Sequence, residues 1–130
     1  MKYSTVQHEN YVILHLQEEK LNSAIAPELK SAMIMFNTQG QRNIILDLSE
    51  VQFADSSGLS ALLRANSVCS GSNGLFVVFG ITPHVRKLID ITHLDRVFTI
   101  LPTQQEAIEA VFMHEIESSI DEDGDGDDDL

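Results

Sequence analysis

The stretch from Asn43 to Arg64, N-I-I-L-D-L-S-E-V-Q-F-A-D-S-S-G-L-S-A-L-L-R, constrains this chain more than any other. An apolar run, Ile44 to Leu48, passes through Val51 and Phe53 into Asp55-Ser56-Ser57-Gly58. Leu59, Leu62 and Leu63 follow at helical spacing. Strand, tight turn and helix in that order put a small polar group on a domain surface. The helix start there has unpaired backbone N–H groups and the positive end of the helix dipole. An oxygen at that point can cap the helix, bind an anion or carry a phosphate.

The chain has 130 residues with 43% apolar content, which fits one domain with one core. No run approaches the roughly 18 apolar residues needed to span a bilayer, and the first residues lack a basic-then-apolar leader pattern. The single cysteine, Cys69, can form no internal disulfide, so a cytoplasmic location is expected. Net charge is −12, but the last ten residues hold seven carboxylates and no cation, which leaves −5 for residues 1–120. With only 8 Lys and Arg there is no basic stripe to neutralise phosphates, so direct nucleic-acid binding is not expected.

Local patterns give the order β-β-α-β-α-β-α-β-α. Tyr3 to Val6 and Tyr11 to Leu16 read as a hairpin turning at His8-Glu9-Asn10. Pro27 opens a helix whose buried stripe is Leu29, Ala32, Met33 and Phe36, ended by Thr38-Gln39-Gly40. Ile44 to Leu48 and Leu75 to Phe79 are strands apolar enough to be covered on both faces. A helix over Gly58 to about Val68 lies between them, closed by Ser70-Gly71-Ser72-Asn73-Gly74. Thr82-Pro83 caps and opens a third helix with Val85, Leu88 and Ile89 inward. Val97 to Leu101 is the last strand. The capping box Thr103-Gln104-Gln105-Glu106 starts a final helix, its buried stripe Ile108, Val111, Phe112 and Ile116. Alternating strands and helices imply an α/β domain with a mostly parallel sheet, an N-terminal hairpin strand and four helices, over residues 1–118. Residues 119–130 are expected to form a disordered acidic tail.

L-D-L-S-E-V-Q-F-A-D-S-S-G-L, residues 46–59, resembles the signature of STAS domains, and specifically of the bacterial anti-sigma factor antagonists. Lys20-Leu21-Asn22-Ser23 through Ala26-Pro27-Glu28-Leu29 resembles that family's segment before its first helix. Gly80-Ile81-Thr82-Pro83 with Val85 and Leu88 resembles the entry to its third. The resemblance covers about residues 3–112. It implies a single STAS-like domain and a protein-binding switch rather than an enzyme, with no cofactor. It makes Ser56 the phosphoacceptor and places Asn22, Ser23, Asp55, Ser56, Ser57 and Gly58 at the partner-binding surface. The implied partners are an anti-sigma factor that is also a serine kinase, and a PP2C-type phosphatase. The unmodified form binds the anti-sigma factor and frees a sigma factor for transcription. The chain departs from the family pattern at Asn22, where Asp is common, at His93, where Gly is common, and near Glu19, where a glycine often stands.

Each singled-out residue also has a structural reading. Ser56 suits a helix cap, and Asp55 either presents the serine or caps the helix itself. Ser57 reads as a first-turn helix residue, and Gly58 as a point of close approach for a partner or a packed strand. Cys69 reads as a small buried apolar residue. The five histidines show no metal-ligand spacing. Asp121, Asp123, Asp125 and Gly126 mimic the start of a calcium loop, but its twelfth-position Glu would fall beyond Leu130, so no metal site is expected. Two alternatives remain: a STAS subunit that scaffolds a signalling or transport assembly without phosphate, and, more remotely, a serine hydrolase. D-S-S-G is not the G-x-S-x-G elbow and has no identifiable histidine partner.

Overall fold

The computed structural model describes residues 1–127, with side chains through Ile120. Seven strands and four helices are formed: β1 (Tyr3–Gln7), β2 (Val12–Leu16), β3 (Lys20–Leu21), α1 (Ala26–Thr38), β4 (Ile44–Asp47), β5 (Phe53–Ala54), α2 (Ser56–Gly71), β6 (Phe76–Phe79), α3 (Pro83–Ile91), β7 (Thr99–Leu101) and α4 (Gln104–Asp127). The main sheet has the order β1-β2-β4-β6-β7. β1 is antiparallel to β2, and every other pairing in that sheet is parallel. This is the expected α/β architecture with four helices and a mostly parallel sheet.

Side chains alternate across the strands, so the central strands β2, β4 and β6 each serve two cores. Val12, Leu14, Leu16, Ile44, Leu46, Phe76 and Val78 face α1, α2 and α3, packing on Leu29, Met33, Phe36, Leu62, Val85 and Ile89. Ile13, Ile45, Val77 and Phe79 face α4 through Ala107 and Val111. The α1 stripe read from the sequence, Leu29, Ala32, Met33 and Phe36, is buried. Cys69 is buried too, and its burial pushes the thiol up to about 12. A thiol held protonated in this way is a poor nucleophile.

Several expectations need correction. Helix α2 starts at Ser56 rather than Gly58 and runs to Gly71 rather than Val68. Its start is set by the Asp55 cap, and the chain leaves it through Asn73, whose left-handed backbone (φ 61°) breaks the helix. Thr82 occupies the cap position of α3, but its hydroxyl donates to the Val51 carbonyl at 2.6 Å and makes no capping bond. The last strand begins at Thr99, because Leu94–Arg96 forms a 3₁₀ turn first.

The inward stripe of α4 is narrower than its apolar spacing suggested. Phe112 lies at the margin of the sheet, edge-on to His8 and Tyr11, and is 38% exposed. Ile116 is 52% exposed, and Leu63 on α2 also faces outward. The α4 backbone runs through Asp127. From Asp121 onward the side chains of the expected acidic tail, residues 119–130, lie outside the described residues.

A polar knot fastens α4 to the strand starts. Buried Asn43 donates to Asn10 C=O at 2.8 Å and to Glu115, and accepts the Leu75 N–H at 2.8 Å. Arg42 grips the same Glu115 carboxylate, and its hydrogen bond holds that carboxyl below the ordinary range.

Candidate functional site

Two strands of two residues each, too short to show in the sequence pattern, assemble the site. β3 pairs in parallel with β5, Lys20 beside Phe53 and Leu21 beside Ala54. The Glu19 carbonyl accepts from Gln52 N–H at 2.8 Å and Phe53 N–H at 3.1 Å, and the Leu21 carbonyl accepts from Asp55 N–H at 3.2 Å. This ladder sets the segment before α1 against the segment before α2. Ser23 thereby shares a cleft with Ser56 and Ser57, and Asn22 follows directly on the residue bonded to Asp55, although more than thirty positions of sequence separate the two segments.

Asp55, not Ser56, is the cap. Its backbone is extended (φ −119°, ψ −174°), and its Oδ1 accepts the Gly58 N–H at 3.0 Å. Ser56 is therefore the first helical residue. It is exposed, and among the described residues its hydroxyl makes no hydrogen bond. Ser57 is half-buried in the same turn. Gly58 is buried: a β-carbon there would stand 2.3 Å from the Leu21 carbonyl oxygen, so the close approach it permits is that of the packed strand.

Asn22 organises the other wall. Its Oδ1 accepts the Ala24 N–H at 3.0 Å, and its carbonyl accepts the Ala26 N–H at 2.9 Å, which turns the chain into α1. An aspartate could make the same bonds, so the turn survives the exchange while the surface loses one negative charge.

Between these walls lies a cleft of about 310 Å³ lined by Ser23, Pro27, Lys30, Ser56, Ser57 and Ser60. Lys30 brings a cation to the rim. On the far side of the turn Phe53, 46% exposed, stands edge-on to His84 with ring centroids 5.1 Å apart. Sequence reasoning missed Lys30, Phe53 and His84. Lys30 was accessible to it: it lies one turn beyond Ala26 and Pro27 on α1, on the side that meets α2.

Among the described residues, no group of three or more His, Cys, Asp or Glu side chains is placed to hold a metal ion. The pair His15 Nδ1 to Asp47 Oδ2, 2.8 Å apart, sits on the sheet face shared with Ile13 and Ile45, the α4 side. Helix α2 covers the opposite face, so this pair cannot activate Ser56. Among the described residues no helix is long and apolar enough to cross a membrane.

Comparison with known proteins agrees with this fold. The STAS domain family model matches residues 2–107. A protein of Thermotoga maritima named as an anti-sigma factor antagonist is 30% identical over 101 residues, covering 77% of this chain and 89% of that one. The crystal structure of a Thermotoga maritima anti-sigma factor antagonist superposes with a TM-score of 0.76 at 30% identity, covering 84% of this chain and 93% of the other. The Bacillus protein SpoIIAA, solved in its phosphorylated form, shares the fold at 20% identity with a TM-score of 0.66, covering 85% and 99% of the two chains.

Proposed function

The chain belongs to the STAS domain family, and from that premise we propose that it is an anti-sigma factor antagonist whose partner binding is set by phosphate on Ser56. The unmodified form binds an anti-sigma factor through Asn22, Ser23, Asp55, Ser56 and Ser57, with Gly58 supporting the turn from beneath, and so frees a sigma factor. The anti-sigma factor is also the serine kinase that modifies Ser56, and a PP2C-type phosphatase reverses the modification. The protein acts by binding and catalyses nothing itself, in the cytoplasm where transcription runs.

The observation that carries this reading is the division of labour at the start of α2. Asp55 makes the capping bond, which leaves the Ser56 hydroxyl exposed and without a partner among the described residues. A hydroxyl needed for the cap could not be modified without loosening the helix. This one can.

A phosphate there adds about −1.5 to −2 charge. The α2 dipole and Lys30 across the cleft tolerate it, so the fold survives. A partner packed on a small neutral hydroxyl would instead meet a hydrated anion beside the Asp55 carboxylate. The cost falls on the interface, as a switch requires.

The test is the affinity of wild type, Ser56→Ala and Ser56→Asp for the protein's anti-sigma factor kinase. Ser56→Asp weakens binding at least tenfold while thermal unfolding stays close to wild type, because an anion at a helix start contributes about 0.3–1 kcal/mol and offsets repulsion from Asp55. Ser56→Ala binds like wild type and accepts no phosphate. Equal affinity for all three would remove Ser56 from the interface.

A further inference from the structure

Strand β1 is one of the two edges of the main sheet, and all five of its residues, Tyr3 to Gln7, are exposed. Its ladder to β2 is regular, with Tyr3 opposite Leu16 and Gln7 opposite Val12. At the two ends of the ladder, Gln17 N–H donates to Lys2 C=O at 2.9 Å and His8 N–H donates to Tyr11 C=O at 2.8 Å. Bonded pairs alternate along an antiparallel ladder, so Lys2, Ser4, Val6 and His8 face β2. The backbone N–H and C=O groups of Tyr3, Thr5 and Gln7 point away from the sheet. The strand has no charged residue and no proline, the usual deterrents to pairing at an exposed edge.

Beside this edge, between β1 and α1, runs a groove of about 400 Å³ lined mostly by apolar side chains, Met1, Tyr3, Pro27, Ala32 and Met35, with Ser31 and the Met1 ammonium–Glu28 pair (3.0 Å) among them. Tyr3 (40%) and Met35 (44%) are exposed along it. Tyr3, Thr5 and Gln7 share the sheet face of Leu16, Leu14 and Val12, the side that α1 covers. A strand added to β1 would therefore place every second side chain over the groove. Open backbone groups next to an apolar trough are what β-strand addition uses.

We propose that this edge and groove receive an extended segment of a partner protein, with apolar residues at alternate positions and basic residues between them. The largely apolar lining selects the alternate residues, and the acidic body, −5 over residues 1–120 with Glu28 on the groove wall, selects the basic ones. A second copy fits less well. Centred on Thr5, its strand would set the Gln7 amide opposite Tyr3 at the groove and bring two strongly negative chains together. Pro27 lines both this groove and the Ser56 cleft, so the two adjoin there. Assigning the segment to the anti-sigma factor rests on the reading of Ser56 given above; the groove itself does not.

The experiment uses the full chain, ¹⁵N-labelled, with a short end-blocked peptide of alternating lysine and valine as the probe. At saturation, amide exchange at Tyr3, Thr5 and Gln7 slows about tenfold or more, while Ser4 and Val6, already bonded to β2, change little. Thr5→Pro removes one outward donor without touching the β2 ladder, and proline is tolerated on such an edge. It weakens probe binding at least fivefold, as does Met35→Gln, which replaces an apolar wall of the groove by a neutral polar one at an exposed site. Ser56→Asp leaves probe binding unchanged, so failure here is distinct from failure of the switch. Unaltered exchange at Tyr3, Thr5 and Gln7 overturns the proposal, as does equal binding by Thr5→Pro and Met35→Gln. Probe binding lost on Ser56→Asp would move the site to the cleft. Protection of the same amides without peptide, rising with protein concentration, would give the edge to a second copy.

Discussion

The carbonyl oxygen of Leu21 lies 2.3 Å from where a β-carbon on Gly58 would stand, and the Leu21 side chain lies 2.7 Å from the same point. Real β-carbons do not come that close to backbone atoms. The first turn of α2 can press against β3 only because residue 58 has no side chain, and that contact holds the Asn22 wall against Ser56. Gly58→Ala therefore costs about 3 kcal/mol, since the atom it meets belongs to backbone that cannot rotate away. Urea unfolding measures this, and a loss below about 1 kcal/mol would show that the two segments shift apart freely.

Asp55→Ala removes the bond to Gly58 N–H and costs about 1 kcal/mol. Asp55→Asn keeps an acceptor oxygen and loses much less. Thermal unfolding of the pair separates capping from charge. If the two variants unfold alike, the carboxylate matters for its charge and not for its hydrogen bond.

Much of this architecture can be read in the sequence because long elements announce themselves. The α1 stripe repeats at helical spacing, and β4 and β6 are apolar runs of strand length between turn residues. The junctions are harder to read. Asp55 and Ser56 are both preferred caps, and only the backbone shows which residue lies outside the helix. β3 and β5 have two residues each, too few for any period, yet they bring Asn22 to the site. Phe112 and Ile116 keep helical spacing with Ile108, but apolar spacing does not reveal where the sheet beneath a helix ends.

His93 holds a left-handed backbone (φ 61°, ψ 20°) just after α3, with its N–H bonded to Asp90 C=O at 3.1 Å. That conformation explains why glycine is common at this position in the family the sequence resembles. A non-glycine residue there carries about 1–2 kcal/mol of strain, part of which glycine returns as chain entropy in the unfolded state. His93→Gly is expected to stabilise the domain by about 0.5–1 kcal/mol in urea unfolding. A destabilised variant would mean that the imidazole makes a contact worth more than the strain.

The Glu115 carboxyl is held below its ordinary range, chiefly by the hydrogen bond from Arg42. A carboxyl whose folded-state value is depressed contributes stability above its unfolded value, about 4.3, and loses it as pH falls through the lower folded value. Glu115→Gln should therefore lower stability at pH 7 and flatten its fall in acid. Asn43→Ala leaves the Leu75 N–H and the Asn10 C=O unpaired and costs about 2–4 kcal/mol at pH 7, and less in acid, because the bond to the ionised Glu115 that it also removes is already lost there. Unfolding curves from pH 7 down to 3 test both, and a Glu115→Gln profile parallel to wild type would remove Glu115 from the acid response.

The central claim is that Ser56 is a phosphoacceptor, and the direct measurement is the intact mass of the protein isolated from its own cells, with the added group mapped to a residue. A fraction of the molecules should carry one phosphate, located on Ser56, and that fraction should vanish in Ser56→Ala. Phosphate found on Ser57 or elsewhere but never on Ser56, or none under any growth condition, would contradict the account.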